Sequence, residues 1–381
     1  MPNKQSKIER LIAELCPNGV EFKELGEVCE IADNKRKPIK SSLRVPGETP
    51  YYGANNIQDY VEGFTHDGEY ILIAEDGSAS LDNYSIQYAT GKFWANNHVH
   101  VIRGHEGVLN RFLFHWFRNM NFIPFLTGGT RAKLTKSKMV VIKIPIPPLA
   151  IQQEIVKILD TFTELEAELE AELEARNKQY EHYRNEMLSF GDDVEWINLK
   201  ELMKRNKGTK ITASQMKKLH KESAPVKIFA GGRTFAMVNF EDIPKKDIHE
   251  VSSIIVKSRG IIEFEYYDKP FSHKNEFWSY YSNNKGIDTK YVFYYLKIKE
   301  SHFQTIANRM QMPQISLPDT EKFKIPVPPL AEQERIVTIL DKFDALVNDI
   351  SIGLPAELDA RRKQYEYYRG KLLTFKEYAK Q

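Results

Sequence analysis

IPIPPLAIQQEIVKILDTF at 144–162 returns as IPVPPLAEQERIVTILDKF at 325–343, identical at 13 of 19 positions. Agreement on that scale marks an internal duplication. The match resumes with ELEARNKQYEHYRNEMLSF at 172–190 and ELDARRKQYEYYRGKLLTF at 357–375, so the offset grows from 181 to 185. The four added residues fall around Gly353 and Pro355. Four residues are close to one helical turn and keep roughly the same face inward, while Pro355 predicts an interruption near Leu354. Upstream, GVEFKELGEV at 19–28 is echoed by DVEWINLKEL at 193–202. A repeat of about 180 residues is far longer than the 20–50 of a solenoid, so the duplicated unit is a globular block with its helix.

Each copy has the same local grammar. Lys143, Ile144 and Ile146 alternate with Pro145 as a short edge strand would. Pro147 and Pro148 stop it, and proline is tolerated in the first turn of a following helix. Downstream, apolar residues step by three or four, which predicts long helices over 149–190 and 330–376 with one apolar stripe each. The first would be about 60 Å long at 1.5 Å per residue. A helix with one stripe needs a partner, and the other copy supplies it. The pairing candidates are Ile155, Leu159, Phe162, Leu169 and Tyr180 on the first helix and Ile336, Leu340, Phe343, Leu358 and Tyr365 on the second. The glutamate run ELEAELEAELEA at 164–175 reads as a solvated face.

The blocks at 1–148 and 191–329 mix strand-like runs, such as YILIAEDG at 70–77 and VSSIIVKSRGIIEFEYY at 251–267, with helical patches at 111–120 and 290–299. The expected fold class is therefore α+β: two mixed α/β blocks separated by two long helices pairing as an antiparallel coiled coil, with pseudo-two-fold internal repetition. No run approaches the ~18 apolar residues of a membrane span, and the N-terminus lacks a signal-peptide pattern, so the expected location is the cytoplasm, with no membrane contact. Cys16 and Cys29 are too few for a disulfide framework and are expected to be buried thiols.

Net charge is +2, but its distribution is uneven: the blocks 1–148 and 191–329 together carry +8 and the helical segments −6. Cations cluster at Lys35, Arg36 and Lys37, at Arg131, Lys133 and Lys136 after a TGGT turn, and at Lys204, Arg205 and Lys207. These sit in expected loops or short helices, and they suit phosphate contact. Arg131, Asn96, Asn97, Gln311 and Gln314 have the chemistry for base-edge contacts, and Arg233 and Arg309 complete the candidate set. Asn96 and Gln314 are equally suited to capping a turn or satisfying a core group.

Several chemistries find no support. A base-amine methyltransferase would need a glycine-rich cofactor loop and a [DNS]PP[YFW] motif, whereas both PP pairs here precede leucine. No GxxxxGK[ST] loop occurs. PDTEK at 318–322 crowds its carboxylates too closely for a nuclease metal pair, and His98 and His100 lack a nearby third ligand for zinc. One histidine of that pair should face the core.

Two variable blocks, each ending in an IPxPPL junction and a similar long helix, resemble the specificity subunit of type I restriction-modification systems. The resemblance covers the whole chain. The later copy reads PLxEQ with Pro329, Leu330, Glu332 and Gln333, while the earlier has Ile151 and Gln152 and lacks the glutamate. The resemblance implies two target-recognition domains, each reading half of a bipartite asymmetric site in double-stranded DNA. It implies paired helices that set the gap and two DNA-adenine methyltransferase subunits docked on the helical region. Whether two restriction subunits join, and whether the chain self-associates, stays open. The chain itself would be non-catalytic, without metal or cofactor, and S-adenosylmethionine, ATP and magnesium would belong to its partners. The alternative reading is a coiled-coil adaptor that assembles proteins without DNA.

Overall fold

A computed structural model describes residues 6–128, 132–232, 234–307 and 313–378. The chain forms two compact units, one of residues 1–170 with 357–381 and one of 171–356. Among the described residues no helix is long and apolar enough to cross a membrane.

The first unit begins with helix α1 (Lys7–Leu15), strand β1 (Glu21–Glu24), the single turn α2 (Leu25–Val28) and β2 (Cys29–Ile31). Seven strands follow: β3 (Pro46–Tyr52), β4 (Ile57–Val61), β5 (His66–Asp67), β6 (Tyr70–Ala74), β7 (Ile86–Ala89), β8 (Lys92–Ala95) and β9 (Val99–Gly104). Helices α3 (Asn110–Asn119) and α4 (Lys136–Met139) precede β10 (Lys143–Ile146), which leads into α5 (Leu149–Met187). One sheet has the order β2-β9-β6-β7, and a second has the order β4-β3-β8-β5. The all-apolar run of β6 is buried on both faces, because helix α3 lies on one side and the second sheet's core on the other: Ile71 and Ile73 join Leu113 and Phe117, while Tyr70 and Leu72 join Phe93.

The second unit repeats the plan. It contains β11 (Glu195–Asn198), α6 (Leu199–Leu202), β12 (Lys204–Asn206), α7 (Ala213–Leu219), β13 (Val226–Phe229) and β14 (Phe235–Val238). Next come β15 (Ser253–Lys257), β16 (Glu263–Tyr267), β17 (Phe271–His273) and β18 (Trp278–Tyr281). Helices α8 (Thr289–Ile298), α9 (Glu300–Ala307) and α10 (Leu317–Glu321) precede β19 (Lys324–Val327), then α11 (Leu330–Asn348) and α12 (Leu354–Leu372). Its sheet order β12-β18-β15-β16 matches β2-β9-β6-β7 element for element. Lys204 and Arg205 thus lie on a strand, not in the loop or short helix expected, because β12 pairs with β18 through Lys204↔Tyr281 and Arg205↔Tyr280.

The weak upstream echo is a structural equivalence. Strand β1 pairs with β10 as Phe22↔Pro145, and β11 pairs with β19 as Trp196↔Pro326. Both pairs are two-stranded, so each proline sits in a strand where a missing N–H breaks no central ladder. Leu25 N donates to Ile142 O and Leu199 N to Phe323 O, each at 2.9 Å.

The duplicated stretch anchors each helix to its own block. The Gln152 side chain is buried; its Oε1 accepts from Leu109 N at 2.9 Å, and its Nε2 donates to Gly107 O and Pro147 O at 3.0 and 2.8 Å. Gln333 repeats all three bonds with Asp288 N, Gly286 O and Pro328 O at 2.9, 3.1 and 2.8 Å. The aspartate of ILD makes the next tether. Asp160 accepts from Arg111 at 2.8 Å and meets His115 at 2.7 Å, residues four apart on α3. Asp341 accepts from Lys290 at 2.8 Å and Tyr294 at 2.6 Å, four apart on α8. Ile151, where the later copy has Glu332, is buried in a cluster with Ile8 of α1, whereas Glu332 pairs with Arg335 on the surface at 2.7 Å.

His115 is buried, its Nδ1 has no partner among the described residues, and burial lowers its pKa to about 4 although Asp160 pulls the other way. Between an unfolded value near 6.5 and that folded value, the unfolded chain binds the extra proton, so stability falls as pH falls through this window. Thermal unfolding at pH 5 is expected to show about 1–2 kcal/mol less stability from this group than at pH 7. His115→Gln should flatten that part of the profile, and an unchanged profile would contradict it.

Helix pairing is present inside each unit. In the first, Phe162 of α5 stacks on Tyr368 at 5.5 Å and meets Tyr365 at 6.2 Å, while Arg362 pairs with Glu166 at 2.6 Å and with Glu170. The partner numbers fall as the α5 numbers rise, so the helices run antiparallel. Ile155 and Leu159 are buried there, Leu358 is buried and Leu169 half-buried. In the second unit, Phe343 of α11 packs against Tyr180 at 6.0 Å and Tyr183 at 5.8 Å, in a core that includes Ile336 and Leu340. Glu166 and Glu170 of the acidic run therefore pair across to the other helix, Glu172 and Glu174 pair along α5 with Arg176 and Lys178 at 2.9 and 2.6 Å, and Glu164 and Glu168 lie on the exposed face.

The helix expected over 330–376 is two helices separated at 349–353. Asp349 Oδ1 accepts from Ser351 N at 2.7 Å and from Ile352 N at 3.3 Å, and Gly353 N donates to Asp349 O at 3.0 Å. Gly353 lies so close to α11 that a Cβ would come within 2.5 Å of Ala345 O. Pro355 then falls in the first turn of α12, where it costs no hydrogen bond.

Candidate nucleic-acid interface

In the first unit, three separate stretches carrying candidate residues converge on one carboxylate. Glu75 follows β6 directly. Its Oε2 accepts from Arg36 Nη1 at 2.6 Å and its Oε1 from Lys133 Nζ at 2.8 Å. Its backbone N donates to His98 O at 2.8 Å, and its backbone O accepts from Leu134 N at 2.8 Å. The 3-10 turn Asp33–Lys35, the β8–β9 connection and the segment leading to α4 thus meet around one residue.

Asp33 completes the network. It accepts from Val101 N at 2.8 Å, meets His100 Nδ1 at 2.6 Å and lies 3.4 Å from Arg36. Both carboxyl groups titrate below their usual range: burial opposes this, but the hydrogen bond with His100 and Val101 N outweighs it at Asp33, and those with Lys133 and Arg36 outweigh it at Glu75. Arg36 also donates to Val99 O at 2.8 Å. Its guanidinium is committed internally and meets a phosphate only by giving up those bonds.

The remaining candidates of this unit divide by exposure. Asn96 is 4% exposed, and its Oδ1 accepts from His98 N at 2.8 Å, the acceptor a base contact would need. Asn97 is exposed. The side chains of Lys35 and Lys136 are exposed and have no ion-pair partner among the described residues. Lys37 is likewise exposed, with its ammonium 5.9 Å from the Trp94 ring. Arg131 lies outside the described residues.

The second unit keeps the backbone frame and changes the chemistry. Ile315 N donates to Ser258 O at 3.0 Å, directly after β15, as Leu134 N does to Glu75 O directly after β6. The bridge Asp76↔Lys133 has its counterpart in Arg259↔Gln314. Where Glu75 stands in one unit, the other has buried Ser258, whose Oγ donates to Glu276 O at 2.6 Å. Lys204, Arg205 and Lys207 are exposed, and Gln314 is half-buried in the bridged segment. Arg233, Arg309 and Gln311 lie outside the described residues.

His100 faces the core, its Nε2 donating to Leu134 O at 2.8 Å and its Nδ1 meeting Asp33 at 2.6 Å, and His98 is exposed beside Asp76 at 2.5 Å. Among the described residues no group of three or more His, Cys, Asp or Glu could hold a metal ion. In PDTEK, Asp319 accepts from Ser316 N at 2.6 Å and so caps α10. Cys29 is buried, which pushes its thiol up to about 12, and Cys16 is only partly buried. Glu75 and Asp33 are not among the cations expected at the interface; the sequence signal for Glu75 was the acidic pair Glu75 and Asp76 that ends YILIAED, and Asp33 had none beyond its place beside Lys35, Arg36 and Lys37.

The family described as "Type I restriction modification DNA specificity domain" matches the chain twice, at residues 17–175 and 191–360. A putative type I restriction enzyme specificity subunit of Haemophilus influenzae is 45% identical over 397 aligned residues, covering 98% of this chain and 100% of that one. A type I restriction enzyme specificity subunit of Escherichia coli is 34% identical over 291 residues, covering 70% of this chain and 71% of its own. The crystal structure of a type I restriction-modification S subunit from M. genitalium matches with a TM-score of 0.61 at 16% identity, covering 93% of this chain and 95% of that one, a likeness of fold.

Proposed function

Since this chain belongs to the family of type I restriction-modification DNA specificity subunits, we propose that each of its two heads reads one half of a bipartite, asymmetric sequence in double-stranded DNA. DNA-adenine methyltransferase subunits dock on the helical region, and ATP-using restriction subunits join the same assembly. Methyl transfer from S-adenosylmethionine to a flipped-out adenine is the partners' chemistry, as are the uses of ATP and magnesium. The assembly works in the cytoplasm.

The observation that carries this reading is one backbone frame built twice with unlike side chains at equivalent places, Glu75 and Lys133 in one head against Ser258 and Gln314 in the other. A repeated frame gives two readers the same way of meeting a duplex, and different side chains give each its own sequence preference. Exposed Lys35, Lys37, Lys136, Lys204, Arg205 and Lys207 supply the counterion-releasing contacts that hold register without reading bases.

Exchanging residues 20–143 for those of a relative of different specificity is expected to change one half of the methylated sequence and leave the other intact. Mapping methylated adenines in cells carrying the chimera with its modification partners reads this directly. Alteration of both halves, or of neither, would contradict the assignment of one half-sequence to each head.

A further inference from the structure

We infer that Glu75 is the positioning residue for sequence reading by the first head, clamping Arg36 and Lys133 away from the phosphates and fixing the β8–β9 connection that presents Asn97. The inference rests on the reading of the heads as DNA readers. Glu75 is 15% exposed at its side chain, while Lys133 is 45% exposed, so this ion pair lies at the surface and not in the core. Two cations, Arg36 and Lys133, face two carboxylates, Glu75 and Asp33, and the cluster offers a duplex no net positive charge.

The same residue ties three connections by both backbone and side chain, through His98 O, Leu134 N, Arg36 and Lys133. Thr127 and Lys133 in turn exchange backbone hydrogen bonds at 2.8 Å each, so Thr127 is fastened to Glu75 through Lys133. A carboxylate in this place would repel a phosphate unless its cations stayed on it, which is why Lys133 serves as a brace and not as a phosphate contact. The second head has buried Ser258 at that point of the frame, its Oγ donating to Glu276 O at 2.6 Å in place of a carboxylate.

The test uses the full chain in complex with its modification partners and measures duplex affinity against salt concentration. Lys133→Gln is expected to leave the slope of log K against log salt at the wild-type value. Glu75→Gln frees Lys133, while Arg36 stays on Asp33 and Val99 O, and is expected to steepen that slope by about 1, with each new phosphate contact adding ~0.9. It should also lower the ratio of specific to non-specific affinity at least tenfold, with methylation of the other half-sequence unchanged. A slope shallower by about one in Lys133→Gln would make Lys133 a phosphate contact and overturn the inference alone. Wild-type slope and specificity in Glu75→Gln would overturn it too. If Glu75→Gln does not fold, the exposed Lys133→Gln still decides. A flat slope in the wild-type complex would overturn the DNA reading itself and this inference with it.

Discussion

Replacing Gln333 with leucine is expected to lower the free energy of unfolding by about 3–5 kcal/mol, read by denaturant or thermal unfolding. Leucine keeps most of the volume but makes none of the three bonds, so Pro328 O loses its partner in a buried place and Asp288 N and Gly286 O lose theirs in partly buried ones, around a side chain that is itself fully buried. Each buried group so orphaned costs about 1–3 kcal/mol, partly relieved by local adjustment. Gln333→Glu separates shape from hydrogen bonding. The acid can still accept from Asp288 N, but it turns acceptors toward Gly286 O and Pro328 O, so it should be at least as damaging as leucine. Gln152 makes the same three bonds in the other unit and should respond alike. A loss below about 1 kcal/mol in both variants would mean that the junction is not held by this amide.

Gly19→Val is expected to cost about 2–4 kcal/mol and to loosen the C-terminal segment, seen as faster proteolysis beyond residue 372. Gly19 has φ +108°, and a Cβ there would lie 2.5 Å from Lys376 O. That carbonyl accepts from Val20 N at 2.9 Å, and Val20 O accepts from Tyr378 N at 2.8 Å, so the clash attacks the contact by which Val20 holds the segment Lys376–Tyr378 in the first unit. Alanine, with the same φ penalty and less bulk, should lie between glycine and valine. Equal stability of all three would show that the end contact contributes nothing.

How much of this was legible in the sequence depends on distance along the chain. The strand-to-helix junctions, the long apolar stripes and the break near Leu354 were readable because each is set by residues within a few positions of one another: alternation, three-to-four spacing, and a proline that must begin a helix. The echo of GVEFKELGEV in DVEWINLKEL was weak in letters yet structural, because only the pairing with β10 and β19 had to be kept. By contrast, the roles of Gln152 and Gln333 were hidden inside a visible motif. Two of the three partners of each lie 43 to 47 residues away, in loops whose own letters carry no signal.

The cations show the same limit more sharply. Lys35, Arg36 and Lys37 are adjacent and equivalent by composition, but the fold leaves Lys35 and Lys37 exposed and hands Arg36 to a carboxylate 39 residues on. Lys133 and Lys136 part in the same way, one braced on Glu75 and the other exposed.

The sequence by itself determined that the chain is a duplicated block-and-helix unit, with two unlike heads and helices carrying matched apolar stripes, because repetition and periodicity are properties of neighbouring letters. Only the tertiary structure decided that each compact unit draws helix from both copies, that Val20 meets Lys376 and Tyr378, and which charges remain free to face a ligand. Those outcomes depend on through-space contacts between distant residues, and a hydrogen bond or ion pair is specified by geometry that no local pattern encodes.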